Sequence, residues 1–568
     1  MLSALLNENF DLLMDAPDSV PRMRELILQL AVMGKLVPQD KNDEPASALL
    51  KRIQAEKEKL IEEGLIKRPK ELLPITDDEK PFELPDGWEW VRLGQLGWIN
   101  PRNAVADQVD VGFLPMALIA DGYEGTHGQE FRSWAEVKQG FTHIADGDVV
   151  MAKITPCFQN LKSVVVSGLR SGIGAGTTEL YVFRPLPKNG PLPQYVLNFV
   201  KSSGFVRKGI GQMTGTAGQQ RVPKQYFEQS PFPLPPLAEQ KRIVEKVDRL
   251  MTLCDELEKR QRERDSVQIS LNGSAFQSLT TSEDKKSFQV NLKRVRDHFG
   301  LLVSRPENVK TVRDTILQLA VMGKLVPQDK NDEPASELLK RIQAEKEKLI
   351  EEGKIKRPKE LPPISEDEKP FALPDGWEWV RLGEVVTISR GHSKHRPRND
   401  PRLFRNGTIP LVQTGEVARS NGIITETKYF YNDEGLRQSK LWPKGTLVVT
   451  IAANIGDAGI LELEACFPDS VVGILPYGVT INPRYLLFFF QSVRETIEAF
   501  APATAQKNIN VAILSVLAFP LPPLAEQKRI VEKVDRMMAL CDAMGEQLVS
   551  SQEDGRRLLK SVVAEMAE

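Results

Sequence analysis

Apolar residues recur at helical spacing along some stretches of the chain and in short continuous runs along others. Residues 20–33 predict a helix that ends at Gly34, and residues 43–63 predict a second helix with Asp43 as its N-cap. Residues 88–93 follow a Pro-Asp-Gly turn and predict a strand. The longer stretches between such blocks carry strand-like runs followed by helical ones. The pattern therefore predicts an α/β fold with mixed sheets.

The sequence contains an internal duplication. Residues 27–94 recur as 316–383 at a constant offset of 289, and 62 of these 68 positions are identical. The sequence FPLPPLAEQKRIVEKVDR, residues 232–249, recurs at 519–536. An internal repeat of this length predicts two structural copies related by a pseudo-twofold axis.

Two dissimilar segments separate the constant blocks. A recent duplication with neutral drift would explain the copies, but it would not explain the sharp edges between constant and variable sequence. The copies and the sharp edges would both be explained if the constant parts contact the same partner twice and the variable parts contact different ones. The predicted division is 1–94 as an N-terminal constant helical region, 95–231 as a first variable domain, 232–383 as a central constant region, 384–518 as a second variable domain and 519–568 as a C-terminal constant helix.

A long helix is predicted after each Pro-Leu-Pro-Pro motif, from Ala238 to about residue 265, which corresponds to about 40 Å. An amphipathic helix packed on its own domain is one interpretation. The other is an antiparallel coiled coil between the two copies, which the matching seams favour. The polar residues 280–293 predict a linker between the halves. The seam residues are Ile243, Val247, Leu250, Cys254 and Leu257, with Ile530, Val534, Met537, Cys541 and Met544 in the second copy.

Charge and composition narrow the class of protein. The 75 lysines and arginines against 77 aspartates and glutamates give a net charge of −2, so any nucleic-acid binding must come from local patches. Four cysteines lie far apart without metal-site spacing, which fits a reducing, cytoplasmic setting. No apolar run reaches 18 residues, so no membrane span is expected.

The motifs of common enzymes are missing from the sequence. Gly34-Lys35-Leu36 lacks the upstream glycine and the Ser or Thr of a phosphate-binding loop. No motif for binding a methyl donor is found, and the five histidines show no ligand spacing. We therefore predict a binding protein with no catalytic and no metal-ligating residues.

Local patches in the variable domains suggest contacts to DNA. Residues 390–405 carry six basic side chains and one acid, and residues 214–222 and 503–510 form small-residue loops with Gln, Asn and Arg. Such side chains suit phosphates and base edges, although a solvated basic loop and a simple turn before a strand remain alternatives. The candidate DNA-binding residues are Arg102, Lys153, Thr216, Gln219, Gln220, Arg221, Arg390, Lys394, Arg396, Arg398, Arg402, Thr504, Gln506, Lys507 and Asn508.

The whole chain resembles the DNA-specificity subunit of type I restriction–modification systems. The resemblance rests on the doubled PLPPLAEQKRIVEKVDR, the loops before it, the LPDGWEWVRLG entries and the alternation of constant and variable blocks. ILQLAVMGKLVPQ in both halves is similar to the subfamily with a long conserved N-terminal region. The first loop has an extra Gly and Gln relative to the second, so its base contacts stay open.

The resemblance implies a division of labour. Each variable domain would be a target-recognition domain that reads one half of a split site in double-stranded DNA. The constant helices would form the coiled coil, set the spacing and dock two modification (methyltransferase) subunits, and two restriction (translocase and endonuclease) subunits would complete the enzyme. No cofactor would be bound by this chain, because S-adenosylmethionine, ATP and Mg²⁺ would be used by the partners. A 40 Å spacer would be close to one DNA turn of about 34–36 Å.

Two other functions stay open at this point. A bivalent scaffold could bind two proteins or peptides through the variable domains without DNA. A solitary modification enzyme would need a donor-binding motif, which the sequence does not show.

Overall fold

The order of helices and strands follows the duplication in the sequence. The computed structural model describes residues 16, 18–64, 66, 72–216, 218–395, 397–452, 454–499 and 509–567. The chain divides into two compact units. Unit 1 runs to Arg264 and takes up the chain again at Ser551, and unit 2 runs from Asp265 to Ser550. Each unit contains one variable domain with its constant helices.

Two constant helices open unit 1, α1 (Ser19–Val32) and α2 (Ala46–Glu62). Gly34 and Gly64 follow them with φ of +72° and +68°, the left-handed geometry that commonly ends a helix. The predicted N-cap of α2 is wrong, because Pro45 occupies the capping position in extended geometry. The carboxylate of Asp43 instead accepts a hydrogen bond from Arg242 Nη2 at 2.6 Å.

The first variable domain lies between two constant strands, of which β1 (Glu89–Arg92) is the first. Its elements are β2 (Gly97–Ile99), β3 (Asp110–Leu114), β4 (Glu130–Ser133), α3 (Trp134–Val137), β5 (Thr142–Ala145), β6 (Val149–Ala152), β7 (Ser163–Val165), β8 (Ile173–Gly176), β9 (Leu180–Pro185), α4 (Pro193–Lys201), α5 (Ser203–Gly211) and α6 (Lys224–Gln229). The second constant strand, β10 (Pro231–Leu234), pairs antiparallel with β1. The two ends of the variable domain are therefore held side by side.

Two four-stranded sheets build this variable domain, in the orders β2-β9-β6-β7 and β4-β3-β8-β5. All neighbours are antiparallel except β3 and β8, which are parallel. The predicted mixed sheet is thus confirmed. Every residue of β6 is buried, so this strand lies in the domain core.

The first long helix, α7, spans Leu237–Thr280 and has 44 residues. At 1.5 Å per residue it is about 66 Å long, so the predicted length of about 40 Å is wrong. The apolar seam stops at Leu257, but the helix continues through polar sequence. A helix of this length no longer matches one turn of DNA, as the 40 Å estimate did.

Four more helices follow α7 in unit 2: α8 (Lys285–Asp297), α9 (Phe299–Leu302), α10 (Asn308–Val321) and α11 (Ala335–Glu351). The prediction of a linker over residues 280–293 is wrong for most of its length, because α8 begins at Lys285. Asp284 caps α8 by accepting a hydrogen bond from the Ser287 amide. Helices α10 and α11 are the copies of α1 and α2.

The second variable domain follows constant strand β11 (Glu378–Arg381). Its elements are α12 (Leu382–Val385), β12 (Val386–Arg390), β13 (Ile409–Leu411), α13 (Thr414–Arg419), β14 (Ile423–Ile424), β15 (Tyr429–Tyr431), α14 (Asp433–Arg437), β16 (Leu447–Thr450), β17 (Ala458–Leu461), β18 (Val471–Pro476), α15 (Pro483–Ser492), α16 (Arg494–Ala499) and α17 (Val511–Ser515). Constant strand β19 (Ala518–Leu521) pairs antiparallel with β11 and closes the domain. A five-stranded sheet, β12-β18-β16-β17-β14, forms its core beside the two-stranded sheet β13-β15.

The second long helix, α18, spans Leu524–Ala567 and also has 44 residues. The seam residues of both long helices are buried or partly buried, as the pattern predicts. Those of α7 share a core with the apolar face of α1, and those of α18 share a core with α10. Arg24 of α1 also donates to Asp255 and Glu258 of α7, at 2.6 and 2.8 Å. Two helices of this length are consistent with the predicted coiled coil, and each seam also packs within its own unit.

The constant elements around each variable domain form what we call the frame. The frame of unit 1 comprises α1, α2, residues 72–88, β1, β10 and the first turns of α7, and that of unit 2 comprises their copies in α10, α11, residues 361–377, β11, β19 and α18. All four cysteines are free. Among the described residues, no helix has the length and hydropathy of a membrane span.

Candidate nucleic-acid interface

The candidate loop of the first variable domain is a hairpin. Thr214 and Arg221 exchange two backbone hydrogen bonds, at 3.0 and 2.8 Å, and close it. Gly215 and Gly218 have φ of +121° and +81°, which a side chain would strain, so the two glycines shape the tip. Thr216 and Gln219 are exposed there. The hairpin therefore presents Thr216 and Gln219 to solvent above the closing pair of Thr214 and Arg221.

The hairpin is attached to the segment that follows β6. The Thr155 amide donates to the Gln220 carbonyl at 2.9 Å, and the Gln220 amide donates to Thr155 Oγ1 at 3.1 Å. The Val222 amide donates to the Lys153 carbonyl at 2.8 Å. These bonds bring Lys153 next to the hairpin, so this candidate lies on the same surface as the candidates of the hairpin.

Arg221 and Lys153 are both oriented by neighbours. The Arg221 guanidinium donates to both carboxylate oxygens of Glu179, at 2.8 and 2.9 Å, and it lowers the pKa of that carboxyl. Lys153 Nζ lies 5.2 Å from the centroid of the Tyr181 ring. The Arg221 side chain is 43 % exposed. The sequence did not single out Glu179, and its charge compensates one of the predicted basic residues.

Arg102 makes different contacts. Its Nη1 lies 3.2 Å from Nε2 of His143, on β5 in the other sheet. Burial lowers the pKa of His143, and the positive charge of Arg102 lowers it further. The structure thus groups Lys153, Thr216, Gln219, Gln220 and Arg221, and places Arg102 with the second sheet.

In the second variable domain, the basic segment 390–405 is ordered by hydrogen bonds to residues 432–439. The His395 amide donates to Gln438 Oε1 at 3.1 Å, and Ser439 Oγ donates to the His392 carbonyl at 2.8 Å. Asn432 Nδ2 donates to the carbonyls of Arg402 and Arg405, at 2.8 and 3.1 Å. The described residues of the segment are therefore held against residues 432–439 by these bonds.

Two arginines of this segment are paired with carboxylates. Arg398 Nη2 lies 2.6 Å from Asp469, and Arg402 Nη2 lies 2.7 Å from Asp400. The bonds from Arg402 and from His395 hold the pKa of Asp400 well below its usual range. The Arg398–Asp469 pair is exposed on both sides, so it contributes about 1 kcal/mol or less and can be exchanged for a phosphate. In the other pair the Arg402 side chain is exposed, whereas Asp400 is buried beneath it.

Arg390 and Lys394 lie at the start of the basic segment, and both side chains are exposed. Arg390 Nη2 donates to the Ile509 carbonyl at 3.4 Å. That bond places the segment beside the end of the second candidate loop. Arg396, Thr504, Gln506, Lys507 and Asn508 lie outside the described residues.

The two candidate loops leave their domains at equivalent points. The Ile509 amide donates to the Ile451 carbonyl at 2.9 Å, as the Val222 amide does to the Lys153 carbonyl. Ile451 follows β16 as Lys153 follows β6, and Ile509 is related to Val222 by the constant offset of 287. The parallel drawn between the loops from sequence therefore holds at the end that the structure describes.

Several residues of this surface were missed. Arg437 and Lys440 are exposed beside the basic segment, because α14 and the turn after it hold that segment in place. Tyr429 and Phe430 of β15 are 44 % and 40 % exposed. A signal was available for the aromatic pair, since Lys428 is followed by three consecutive aromatic residues, a combination of a base with rings that suits nucleic acid. No local signal links residue 437 to residue 402.

Comparison with known proteins completes this picture. The family model described as "Type I restriction modification DNA specificity domain" matches twice, over residues 85–264 and 374–549. Both matches begin just before the first frame strand and end within a long helix. This chain belongs to the family of type I restriction enzyme specificity subunits.

Individual relatives agree with that assignment. The chain is 42 % identical to the type I restriction enzyme EcoAI specificity subunit of Escherichia coli, over 92 % of this chain and 90 % of the relative. It is 41 % identical to the EcoEI specificity subunit of the same species, over 94 % and 91 %. A solved chain from a study of assembly of the type I R-M system has a TM-score of 0.50 at 19 % identity, covers 86 % of this chain and 99 % of its own, and shows that the fold is shared.

Proposed function

We propose that this chain is the DNA-recognition subunit of a type I restriction–modification enzyme, and that each variable domain reads one half of a bipartite site in double-stranded DNA. The observation that carries the proposal is the pairing of two different candidate interfaces with two copies of one frame. Because the frame is repeated, both variable domains are held by the same contacts. Because their candidate interfaces differ, the two domains can recognise different DNA sequences.

The two interfaces offer the chemistry that such reading needs. Glutamine and arginine at the hairpin of the first domain provide paired donors and acceptors for base edges. The basic segment of the second domain, with Arg437 and Lys440, provides phosphate contacts, and Tyr429 and Phe430 provide apolar contact area. Arginines held by carboxylates are pre-oriented, so less side-chain freedom is lost when DNA binds.

Catalysis and cofactors belong, in this proposal, to partner subunits. Two modification subunits would use S-adenosylmethionine, and two restriction subunits would use ATP and Mg²⁺, all in the cytoplasm. Support for a protein partner comes from exposed apolar side chains on the last turns of α7 and on α8, since surfaces of this kind mark protein contacts. These side chains are Val267, Ile269, Leu271, Val290 and Leu292, from 45 % to 62 % exposed.

The long helices would fix the distance between the half-sites by pairing as an antiparallel coiled coil. The five-segment division, with variable domains at 95–231 and 384–518, belongs to the same proposal. Its support is that β1 with β10, and β11 with β19, close each variable segment at its ends.

The test is a map of adenine methylation across the genome in cells that carry the chain with its modification subunit. We expect a split motif that requires the chain, and a change in one half of it when residues 95–231 are exchanged for those of another specificity subunit. DNA binding by the assembly should also weaken steeply as salt rises. A complex that forms but methylates no chain-dependent motif would instead favour the bivalent protein scaffold.

A further inference from the structure

Buried polar side chains of each frame form hydrogen bonds with backbone atoms of its variable domain. In unit 1, the buried Arg92 guanidinium donates to the carbonyl of Gln229, at the end of α6. In unit 2, Arg381 donates to the carbonyl of Val516, at the equivalent place. A carbonyl is present whatever the side chain is, so these contacts tolerate any sequence in the variable domain.

A buried glutamine of each frame makes a second contact of this kind. Gln240, with no exposed surface, accepts a hydrogen bond from the Leu192 amide at 2.9 Å and donates to the Pro235 carbonyl at 3.0 Å. Gln527 does the same with the Asn482 amide, at 2.8 Å, and the Pro522 carbonyl, at 3.1 Å. Each glutamine thus joins the start of a long helix to the N-cap residue of a helix in the variable domain, α4 or α15.

A tyrosine of each variable domain donates a hydrogen bond in the opposite direction, to a backbone carbonyl of the frame. Tyr195 Oη donates to the carbonyl of Pro233 at 3.0 Å, and Tyr485 Oη donates to that of Pro520 at 2.9 Å. Both tyrosines are fully buried. Their rings meet a frame tryptophan edge-on, at 6.4 Å in unit 1 and 6.3 Å in unit 2, with interplanar angles of 81° and 82°.

The two variable domains share these residues although their sequences otherwise diverge. α4 begins Pro-Gln-Tyr and α15 begins Pro-Arg-Tyr, with a phenylalanine four residues after each tyrosine, all at an offset of 290. Phe199 and Phe489 each lie 4.9 Å from a frame phenylalanine, measured between ring centroids. Fully buried side chains cannot touch DNA, so reading of the target does not account for the shared tyrosine.

We propose that Tyr195 and Tyr485 are positioning residues that set the angle at which each variable domain is held on its frame, with Gln240 and Gln527 as their partners. This inference rests on the proposed function. A wrong angle displaces the reading surface relative to the rest of the subunit, so the first measurable consequence is tolerance of the wrong spacing between half-sites. Any variable domain that this frame accepts must supply the tyrosine.

The test uses the full chain assembled with its modification subunit, and duplexes that carry the wild-type motif with its own spacer or with one base pair added or removed. Tyr195→Phe removes one hydrogen bond and keeps the ring. We expect discrimination between the correct and altered spacers to fall roughly tenfold, because the Pro233 carbonyl loses its donor and the joint loosens. Tyr485→Phe should give the same result.

Tyr226→Phe is the matched control. Tyr226 Oη donates to the Phe205 carbonyl at 2.5 Å, so the bond lies inside the variable domain and spares the frame. This variant should lose comparable stability and keep the spacer preference, which separates positioning from simple destabilisation. Gln240→Glu keeps the acceptor for the Leu192 amide but loses the donor and places a carboxyl group in a fully buried site, so its effect should be at least as large as that of Tyr195→Phe. Tyr485→Phe, in the other unit, carries the test if Tyr195→Phe fails to fold.

The outcomes are separable from those of the proposed function. A wild-type assembly without any chain-dependent split motif would overturn the proposed function. A wild-type assembly that has the motif, together with Tyr195→Phe and Gln240→Glu variants whose spacer discrimination stays within about twofold of it, would overturn only the positioning role.

Discussion

The frames and the variable domains use polar contacts in opposite ways. In the frames, the same buried contacts recur: Trp88 Nε1 donates to Glu239 at 2.9 Å, and Trp377 Nε1 donates to Glu526 at 2.9 Å. The buried Arg92 lies 2.7 Å from the partly exposed Glu79 in unit 1, and its buried copy Arg381 lies 2.7 Å from the exposed Glu368 in unit 2. In the variable domains, the arginines of the candidate interfaces pair with carboxylates but are themselves from 43 % to 67 % exposed, and no pair of one domain has a counterpart in the other among the described residues.

The difference separates what must be kept from what can be rewritten. A buried polar group left without its partner costs about 1–3 kcal/mol, and more if it is charged, so a frame built from such groups resists change. An exposed pair contributes about 0–1 kcal/mol, so it can be replaced without loss of the fold. The molecule therefore keeps the frame constant and confines variation to the domains that carry the candidate interfaces.

The largest effect is expected at the frame arginine. Arg92 is 3 % exposed and makes five hydrogen bonds, to both oxygens of Glu79 and to three backbone carbonyls. Arg92→Met should lower the free energy of unfolding by roughly 3 kcal/mol, because three backbone carbonyls and the partly exposed Glu79 all lose their hydrogen-bond donor. Hydrogen exchange read by peptide mass spectrometry should show faster exchange in β1 and β10.

Two control variants accompany that measurement. Arg381→Met should speed exchange in β11 and β19 and leave β1 and β10 unchanged, since the same contacts recur there. Arg207→Met, at an exposed arginine whose hydrogen bonds stay within its own helix turn, should change stability by about 0.5 kcal/mol or less. Equal acceleration in both units after Arg92→Met would contradict the independence of the two frames.

The same arginines predict a dependence on acid. Hydrogen bonds from Arg92 and Arg381 lower the pKa of Glu79 and of Glu368 from 4.5 to about 2. The stability they contribute is present above about pH 4.5 and is lost as pH falls towards about 2. The urea midpoint of the wild type should therefore fall in that window, and the double variant Arg92→Met/Arg381→Met should show a flatter curve. Equal slopes for the two proteins would refute this origin.

An opposing group makes the double variant necessary. Burial raises the pKa of Glu239 and of Glu526, so their effect runs the other way and stability falls as pH rises through the raised pKa. Because both proteins keep these two glutamates, the difference between the curves isolates the contribution of Glu79 and Glu368.

Sequence reasoning found the architecture because its signals are local or repeated. The duplication, the seams and the short apolar runs predicted two α/β domains with long helices, and the structure has them. It placed the N-cap of α2 at Asp43 and a linker over residues 280–293, and both were wrong. In the first case a tertiary ion pair with Arg242 uses the carboxylate, and in the second a capped helix forms in sequence that is merely polar.

The candidate interface was only partly predictable. Lys153, Gln220 and Arg221 were chosen from type and spacing, and the structure brings them together, although their contact with DNA stays a prediction. Glu179 and Asp469 could not be found, because they lie 42 and 71 residues from the arginines that they neutralise. Tyr195 and Tyr485 carried a signal, a shared Pro-x-Tyr in otherwise divergent segments, which only a comparison of the two variable domains could reveal.

A moderate effect is expected at the hairpin of the first variable domain. Arg221→Ala should weaken binding of the complete site about tenfold and reduce discrimination at one half-site only. Arg398→Ala is its reciprocal control and should affect the other half-site. Binding to duplexes with single mismatches in either half, measured by fluorescence anisotropy, distinguishes the two. Loss of discrimination in both halves after either change would argue against independent reading.

The smallest effect concerns a carboxylate that lies against the basic segment. Asp469 lies 2.6 Å from Arg398, so Asp469→Asn removes a competitor for the phosphate that this arginine would bind. We expect DNA binding to tighten about two- to threefold, with a salt dependence steeper by less than one counterion. Stability should change by about 0.5 kcal/mol or less, since the pair is exposed. Weaker binding would mean that Asp469 itself accepts from a base, as a carboxylate can from cytosine N4, and its variant should then relax a single position of that half-site.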